Sequence, residues 1–330
     1  MSFAALSNLF MEAALVTYAG ALLAYLAEIL FASRQDRDRA AELVGAGAAG
    51  RGTSTLVEAP AHALDGHRAP TRWVDLANRL GRIGLTVTVL AFSFHLASVV
   101  TRGLAAGRVP WGNMYEFSTM GALAAVAVFL VVVRVYGLRW LGVWVDAAVL
   151  VTLGIAVTVL YAEAAPLLPA LRSTWLVIHV FAAITGSGLL TVATIVTVMY
   201  LVAHGRESRL AAGAAPKRLD AYAARLPTST ALDKVSFRLY AVAFPVWTFA
   251  VVAGAIWAQY AWGRYWGWDP KETWSLVTWL IFAGYFHARS TAGWKGRAAA
   301  VVAIIGYLSF LFNYFGVNLL FNGLHAYSGL

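Results

Sequence analysis

The chain is dominated by long apolar runs that charged residues interrupt only near their ends. Charged residues make up 12% of the sequence, which is about half of their share in soluble globular domains. A helix of about 20 apolar residues covers the hydrocarbon core of a bilayer. Because lipid offers no hydrogen-bond partners to an exposed backbone, each run should be helical. The sequence therefore predicts an all-α integral membrane protein.

Eight runs are long enough to span a membrane. They lie near residues 9–32, 81–101, 117–134, 140–161, 174–203, 239–260, 271–290 and 298–318. The first run has no basic residue before it and is longer than the apolar part of a signal peptide, so we predict a retained helix within 1–32. The other seven runs are predicted to form the main membrane domain, within 81–330.

Basic residues are unevenly distributed between the connections that join these runs. Connections on one side contain twenty Lys and Arg residues, and those on the other side contain five. Because basic residues accumulate in cytoplasmic loops, we predict that the basic side is cytoplasmic and that both termini face outside. The chain is accordingly predicted to be a multi-pass protein of the cytoplasmic (inner) membrane. The net charge of +9 is then explained by the basic connections on the cytoplasmic side, and no nucleic-acid partner is predicted.

Two of the basic connections are long. Residues 33–80 and 204–238 are rich in Ala, Gly and charged residues, and they contain no recognisable catalytic motif. We predict that both are flexible cytoplasmic linkers.

The tryptophan-rich string WGRYWGWDPKETW occupies residues 262–274. Asp269, Pro270 and Glu272 have the spacing of an N-cap, a first-turn proline and a capping-box acid, so a helix should begin near residue 270. The tryptophans are predicted to lie in an outer loop over 257–274. This loop has two interpretations: an aromatic belt that anchors the helix at the interface, or a surface on which a flat hydrophobic ligand stacks. In the second, the glycines allow close approach to the ligand.

This string resembles the tryptophan-rich WWD signature of haem-handling membrane proteins. The chain as a whole resembles the CcsA (ResC-type) subunit of system II cytochrome c biogenesis, mainly over 81–330. The residues that match the signature are Trp262, Gly263, Trp266, Trp268, Asp269 and Glu272. The fragment GRVPWGNMYEF at 107–117 is similar to an outer loop of the family, through Gly107, Pro110, Asn113, Tyr115 and Glu116.

The resemblance implies a function. Haem b would be delivered across the membrane, presented on the WWD loop, and joined to the thiols of an apocytochrome c CxxCH motif. The implied partners are a ResB/CcsB-type membrane subunit, the apocytochrome and thioredoxin-like thiol reductants. The chain contains no cysteine, so the thiols must come from a partner. Thioether synthesis would belong to the complex. The alternatives are a haem transporter or chaperone without synthase activity, and a multispanning protein whose loop only anchors it.

Four histidines lie in or beside the predicted spans. His179 and His325 both reach the outer face, and the resemblance implies that they are the axial ligands of an outer haem. His287 lies about 25 Å deeper than Pro270 on the same helix. The resemblance makes it a ligand of a second, transmembrane haem, whose other ligand is attributed to the partner subunit. His95 is a secondary candidate, which either contacts haem or packs beside the outer cavity.

Three charged residues of the loop remain open to interpretation. Asp269 is explained as the helix cap, with positioning of the loop or of the haem propionates as its alternative. Arg264 and Lys271 either pair with propionates or lie at the interface. No residue has the pattern of a nucleophile or general base, so any catalysis should come mostly from proximity.

Overall fold

A computed structural model describes residues 1–49, 72–166, 171–215, 217, 220–291 and 293–325, with the side chains of 34–49 and 221 left aside. Every regular element within these residues is helical, as predicted. The helices are α1 (Phe3–Ala49), α2 (Arg72–Ala106), α3 (Met114–Tyr136), α4 (Gly142–Thr158), α5 (Thr174–Ala211), α6 (Asp220–Ala223), α7 (Ser229–Trp262), α8 (Pro270–Ser290), α9 (Arg297–Leu311) and α10 (Val317–Leu320). A π-helical turn, Phe312–Gly316, joins α9 to α10.

Seven helical segments in the described part of the chain are long and apolar enough to cross a membrane. They are Phe3–Ser33, Arg72–Ala106, Met114–Tyr136, Arg139–Thr158, Thr174–Ala211, Ser229–Trp262 and Arg297–Leu320. Together with the all-helical architecture, they identify a multi-pass membrane protein. The predicted span at 271–290 corresponds to α8, which is not among the seven.

Helix α8 is long but comparatively polar. Its 21 residues correspond to about 31 Å, enough to cross the hydrocarbon core. Its polar groups are paired inside the bundle: the Thr278 hydroxyl lies 3.0 Å from the Ser309 hydroxyl of α9, and the Trp279 indole donates to Thr248 of α7. Interhelical hydrogen bonds of this kind hold a polar helix among apolar ones in a membrane.

The described ends of the two predicted linkers are helical. Helix α1 continues to Ala49 and α2 already begins at Arg72, whereas residues 50–71 lie outside the described residues. In the second connection, α5 continues to Ala211 and α7 begins at Ser229. Alanine-rich sequence favours helix beyond the membrane boundary, and Glu207 accepts a hydrogen bond from the Ser229 backbone N–H at 2.9 Å. This contact joins the inner ends of α5 and α7.

Helix α5 lies inside the bundle and packs closely against α3 and α7. At Gly188 of α5, a Cβ atom would lie 2.8 Å from the backbone of Ala124 in α3. Only glycine permits this approach, which is typical of helix crossings in membranes. The N-terminal ends of α3, α5 and α8 and the C-terminal end of α7 surround one cavity, and the segment that follows α10 returns to the same place.

Candidate functional site

An open cavity lies among the N-terminal ends of α3, α5 and α8 and the C-terminal end of α7; about 770 Å³ of it is free of protein atoms, including space that is open to solvent. Large aromatic side chains form much of its wall: Phe117, Trp247, Trp257, Trp262, Trp266 and Tyr314. His179 and His325 line the same cavity, so the structure brings together the two residues that were predicted as axial ligands.

His179 is held rigidly on α5. Its Nδ1 lies 2.8 Å from the carbonyl oxygen of Ala250 in α7, and its ring stacks almost parallel to Trp257, with centroids 6.1 Å apart. The ring fits there because residue 254 is glycine: a Cβ would lie 2.8 Å from His179 Nδ1. Because Nδ1–H donates to a carbonyl, this tautomer leaves a lone pair on Nε2 that can coordinate a metal ion.

His325 is held by a carboxylate. Its Nδ1 lies 2.7 Å from Oδ2 of Asp269, and the backbone N–H of Leu324 donates to Oδ1 of the same group at 2.7 Å. The close approach of this segment requires glycine at 323, where a Cβ would lie 2.6 Å from Asp269 Oδ1. A carboxylate bonded to Nδ1 fixes the tautomer and raises the basicity of Nε2, as in many metal-ligating histidines.

The charge state of this pair follows from its surroundings. Burial by itself opposes ionisation of Asp269, but hydrogen bonds from His325 and Leu324 outweigh it and hold the pKa of Asp269 below its usual value. Burial lowers the pKa of the His325 imidazole, and the Asp269 hydrogen bond opposes that shift. A neutral imidazole donating to an ionised carboxylate is therefore the form at neutral pH.

The predicted start of α8 is confirmed. The helix begins at Pro270, and the Glu272 carboxylate reaches back to the backbone N–H of Asp269 at 3.1 Å and of Gly267 at 2.8 Å. The non-helical stretch is only 263–269, shorter than the predicted loop over 257–274, because α7 continues to Trp262. Gly263 ends α7 in the left-handed conformation, with φ of 72°, which glycine adopts readily.

The two glycines of the loop each have a role in its own geometry, and their predicted close approach to a ligand stays a prediction. No atom lies within 4 Å of a Cβ built at Gly263, so its role is the positive φ. At Gly267, a Cβ would overlap the guanidinium of Arg264, which crosses the loop to the Glu272 carboxylate at 3.3 Å. Arg264 is thus paired within the protein.

The predicted WWD residues divide into two groups. Trp262, Trp266 and Glu272 line the cavity. Gly263, Trp268 and Asp269 are not among its described lining residues, and Asp269 reaches the cavity only through His325. The Trp268 side chain is 68% exposed, and its backbone has φ of 59°, a costly conformation for a residue other than glycine. Sequence alone gave no sign that the two neighbouring tryptophans point differently.

A second cavity of about 640 Å³ adjoins the first and shares His179, His325 and Lys271 with it. Its other wall includes Trp111 and Met114, from the fragment that resembles the family's outer loop. Beneath this wall, Glu116 is fully buried and pairs with Arg102 at 3.1 Å and Arg108 at 2.7 Å. Asn113 caps α3 by accepting from the Glu116 N–H.

Several wall residues had no recognisable signal in the sequence. Phe117, Trp247 and Tyr314 are single aromatic residues in three different apolar segments, and in such segments aromatic residues are common. The π-helical turn after α9 brings Tyr314 and its neighbour Asn313 to the cavity. Only the packing of the helices brings these side chains together.

The other two histidines lie elsewhere, outside the described walls of both cavities. His287 is exposed on the surface of α8. His95 is fully buried between α1 and α2, where its ring meets Tyr18 edge-on and its Nδ1 lies 3.4 Å from the Tyr18 hydroxyl. These contacts favour the packing interpretation of His95.

Comparisons with known proteins identify the relatives of this chain. A family model described as cytochrome C assembly protein matches residues 111–325, a range that ends at His325. A cytochrome c biogenesis protein CcsA from Synechococcus elongatus is 35% identical over 285 residues, covering 75% of this chain and 87% of that protein. The CcsA of Porphyra purpurea is 32% identical over 293 residues, covering 78% and 92%.

A solved structure is also similar. The cytochrome c haem lyase CcmF aligns with a TM-score of 0.62 at 16% identity, over 98% of this chain and 48% of the CcmF chain. This chain therefore spans about half the length of that structure, and the likeness supports the fold alone. The match over 111–325, together with the extent and identity of the CcsA relatives, shows that the chain belongs to the cytochrome c assembly protein family.

Proposed function

We propose that the chain binds haem b in the outer cavity and presents it for covalent attachment to an apocytochrome c. One observation carries this proposal: His179 and His325, from distant parts of the chain, line one aromatic cavity, with Nδ1 of each already held by a hydrogen bond. Imidazole Nε2 atoms oriented in this way suit the two axial positions of haem iron.

The cavity walls suit the rest of the macrocycle. Trp262 and Trp266 offer flat apolar faces for stacking, and the buried Trp257 supports the His179 ring from behind. Lys271 lines both cavities, whereas Arg264 is occupied by Glu272. We therefore assign Lys271, rather than Arg264, as the cation that pairs with a haem propionate.

The proposed reaction needs little chemistry from the protein. A thiol S–H adds across a haem vinyl C=C: a C–S bond forms, the hydrogen goes to the other vinyl carbon, and no external oxidant is consumed. The chain has no cysteine, so both thiols come from the CxxCH motif of the acceptor. The contribution of this chain is to hold the vinyl groups where those thiols can reach them.

The membrane topology and the partners form part of the same proposal. With α8 counted as a span, the cavity and both termini face the outside of the cytoplasmic membrane, and the basic connections are cytoplasmic. The exposed His287 on α8 suits a second haem whose other ligand belongs to a ResB/CcsB-type subunit. Thioredoxin-like reductants would keep the acceptor thiols reduced.

The test is the visible spectrum of the full chain co-expressed with a ResB/CcsB-type subunit. His179→Ala and His325→Ala should each remove the low-spin spectrum of the outer haem and stop cytochrome maturation. His204→Ala is the matched control, because His204 stacks on Tyr200 at the inner end of α5, and it should change neither. Retention of low-spin haem and of maturation in both outer variants would refute the assignment. If a variant still transports haem but no longer forms thioethers, the result supports a synthase role rather than transport alone.

A further inference from the structure

We infer that His325 is the exchangeable ligand of the outer site, that Asp269 holds it in place, and that the histidine of the acceptor enters on its face while His179 stays. This inference rests on the proposed function. It starts from the unequal way in which the two imidazoles are held. His179 is fixed between two packed helices, whereas His325, whose ring also contacts Trp257 and Trp262, lies on a short non-helical segment that a carboxylate holds.

His179 has no room to leave the iron. Its ring is enclosed by the Ala250 carbonyl, the face of Trp257 and the backbone at Gly254, all of them on α7. These groups belong to α7, a long helix that packs tightly against α5, the helix that carries His179. Withdrawing the imidazole would require α5 and α7 to separate, which would break a helix interface in the centre of the bundle.

His325 lies on a short segment that can move. Helix α10 ends at Leu320, the Phe321 N–H makes the last helical hydrogen bond, to the Val317 carbonyl, and the described residues 322–325 are not helical. The apolar side chains of this part of the chain bury little surface: Leu319, Leu320, Phe321 and Leu324 are 63%, 70%, 47% and 42% exposed. Segments with few buried apolar contacts open at low free energy.

Asp269 is the anchor of this segment. Its two oxygens take the Leu324 N–H and the His325 Nδ1–H at 2.7 Å each, and charge-assisted hydrogen bonds are roughly twice as strong as neutral ones. Asp269 is fixed at the first turn of α8 by the contact of its N–H with Glu272. Asp269 is therefore a positioning residue, which acts on the iron only through His325.

The direction from which the acceptor protein approaches also favours His325 as the ligand that is exchanged. An acceptor protein comes from outside the membrane, and the His179 face of the cavity is closed by α5 and α7. On the His325 side, the segment after α10 lies against the cavity. When that segment withdraws, it vacates one axial position and at the same time uncovers the adjoining cavity. The CxxCH histidine can then replace His325 without any rearrangement of the helices.

Ligand exchange in the haem-loaded complex tests the inference. Imidazole should restore the low-spin spectrum of His325→Gly at a concentration at least about 10-fold lower than that needed for His179→Gly. In an otherwise unaltered chain, Asp269→Asn should speed displacement of the native ligand by imidazole about 10-fold or more, since outer-sphere partners of metal ligands are typically worth about 10–100-fold. Asp220→Asn, at the cytoplasmic end of the protein, is the matched control and should not change the rate.

A second measurement does not depend on haem. The chain has no cysteine, so Leu320→Cys can carry a single nitroxide label next to the segment. Label mobility should rise when Asp269→Asn is added and should stay constant with Asp220→Asn. This measurement keeps the inference testable if Asp269→Asn binds no haem.

The outcomes distinguish the claim that His325 is the exchangeable ligand from the claim that Asp269 holds it in place. Equal imidazole requirements for the two glycine variants, or the opposite order, overturn the inference while the haem site stands. An unchanged exchange rate and an unchanged label mobility in Asp269→Asn overturn the role of Asp269. Failure of the unaltered complex to bind any low-spin haem would refute the proposed function itself.

Discussion

Gly254 lines the proposed haem cavity behind His179, and replacing it by alanine should damage the site without unfolding the protein. A Cβ at this position would lie 2.8 Å from Nδ1 and from Cε1 of His179, well inside the optimal separation of about 3.5–4.0 Å. The imidazole is held from behind by the Ala250 carbonyl at 2.8 Å. The ring must therefore rotate or move, and the Ala250 hydrogen bond must lengthen.

The size of the effect can be worked out from these contacts. Overpacking costs about 1–3 kcal/mol, and loss of the hydrogen bond adds about 1 kcal/mol. Alanine in a helix recovers about 0.5–1 kcal/mol relative to glycine. The net cost is about 1–3 kcal/mol, and if it falls on the orientation of His179, haem affinity drops about 5- to 150-fold.

Haem titration of the purified complex, followed at the Soret band, measures this loss. Gly154→Ala in α4 is the matched control, because no atom lies within 4 Å of a Cβ there. That variant should bind haem normally and unfold at the same temperature as the unaltered chain, or slightly above it. If Gly254→Ala and Gly154→Ala bind haem with equal affinity and identical spectra, the contact between residue 254 and His179 does not orient the ligand.

Three further predictions follow from the outer loop. Trp266→Ala should lower haem occupancy in the same titration, whereas Trp268→Ala should leave it unchanged, because only the first side chain lines the cavity; equal losses would contradict this division. Glu272→Ala should destabilise the loop by about 1–3 kcal/mol, since it leaves two backbone N–H groups and Arg264 without their acceptor; faster proteolysis within 263–269 is the expected sign. Lys271→Gln should weaken binding of haem but not of haem dimethyl ester, and an equal effect on both ligands would argue against the propionate contact.

The helical framework was largely predictable because its signals are local. Apolar length marks most of the spans, and the start of α8 follows from Pro270 and Glu272, whose effects act within one helical turn. The end of α7 at Gly263 is a local signal as well, although the predicted loop began earlier. The linkers were harder, since an alanine-rich stretch favours helix as much as it permits a loop.

The site itself was predictable only in part. His179 and His325 were named through the resemblance, because no spacing rule joins two residues so far apart in sequence. The cap position of Asp269 was readable from its neighbours, but its hold on His325 depends on where the segment after α10 returns. The glycines were interpreted as room for a ligand, whereas the positive φ at Gly263 and the path of Arg264 over Gly267 need the folded loop. Tertiary packing decides such details.

The π-helical turn Phe312–Gly316 constrains the length of the chain. Such a turn accommodates one more residue than an α-helix, and one residue corresponds to about 100° of rotation. Deleting any residue from this turn would regularise the helix and rotate α10 and His325 around the helix axis by about that angle. In a library of single-residue insertions and deletions, the two long basic connections should accept many lengths, whereas the stretch between α9 and His325 should accept only its present length.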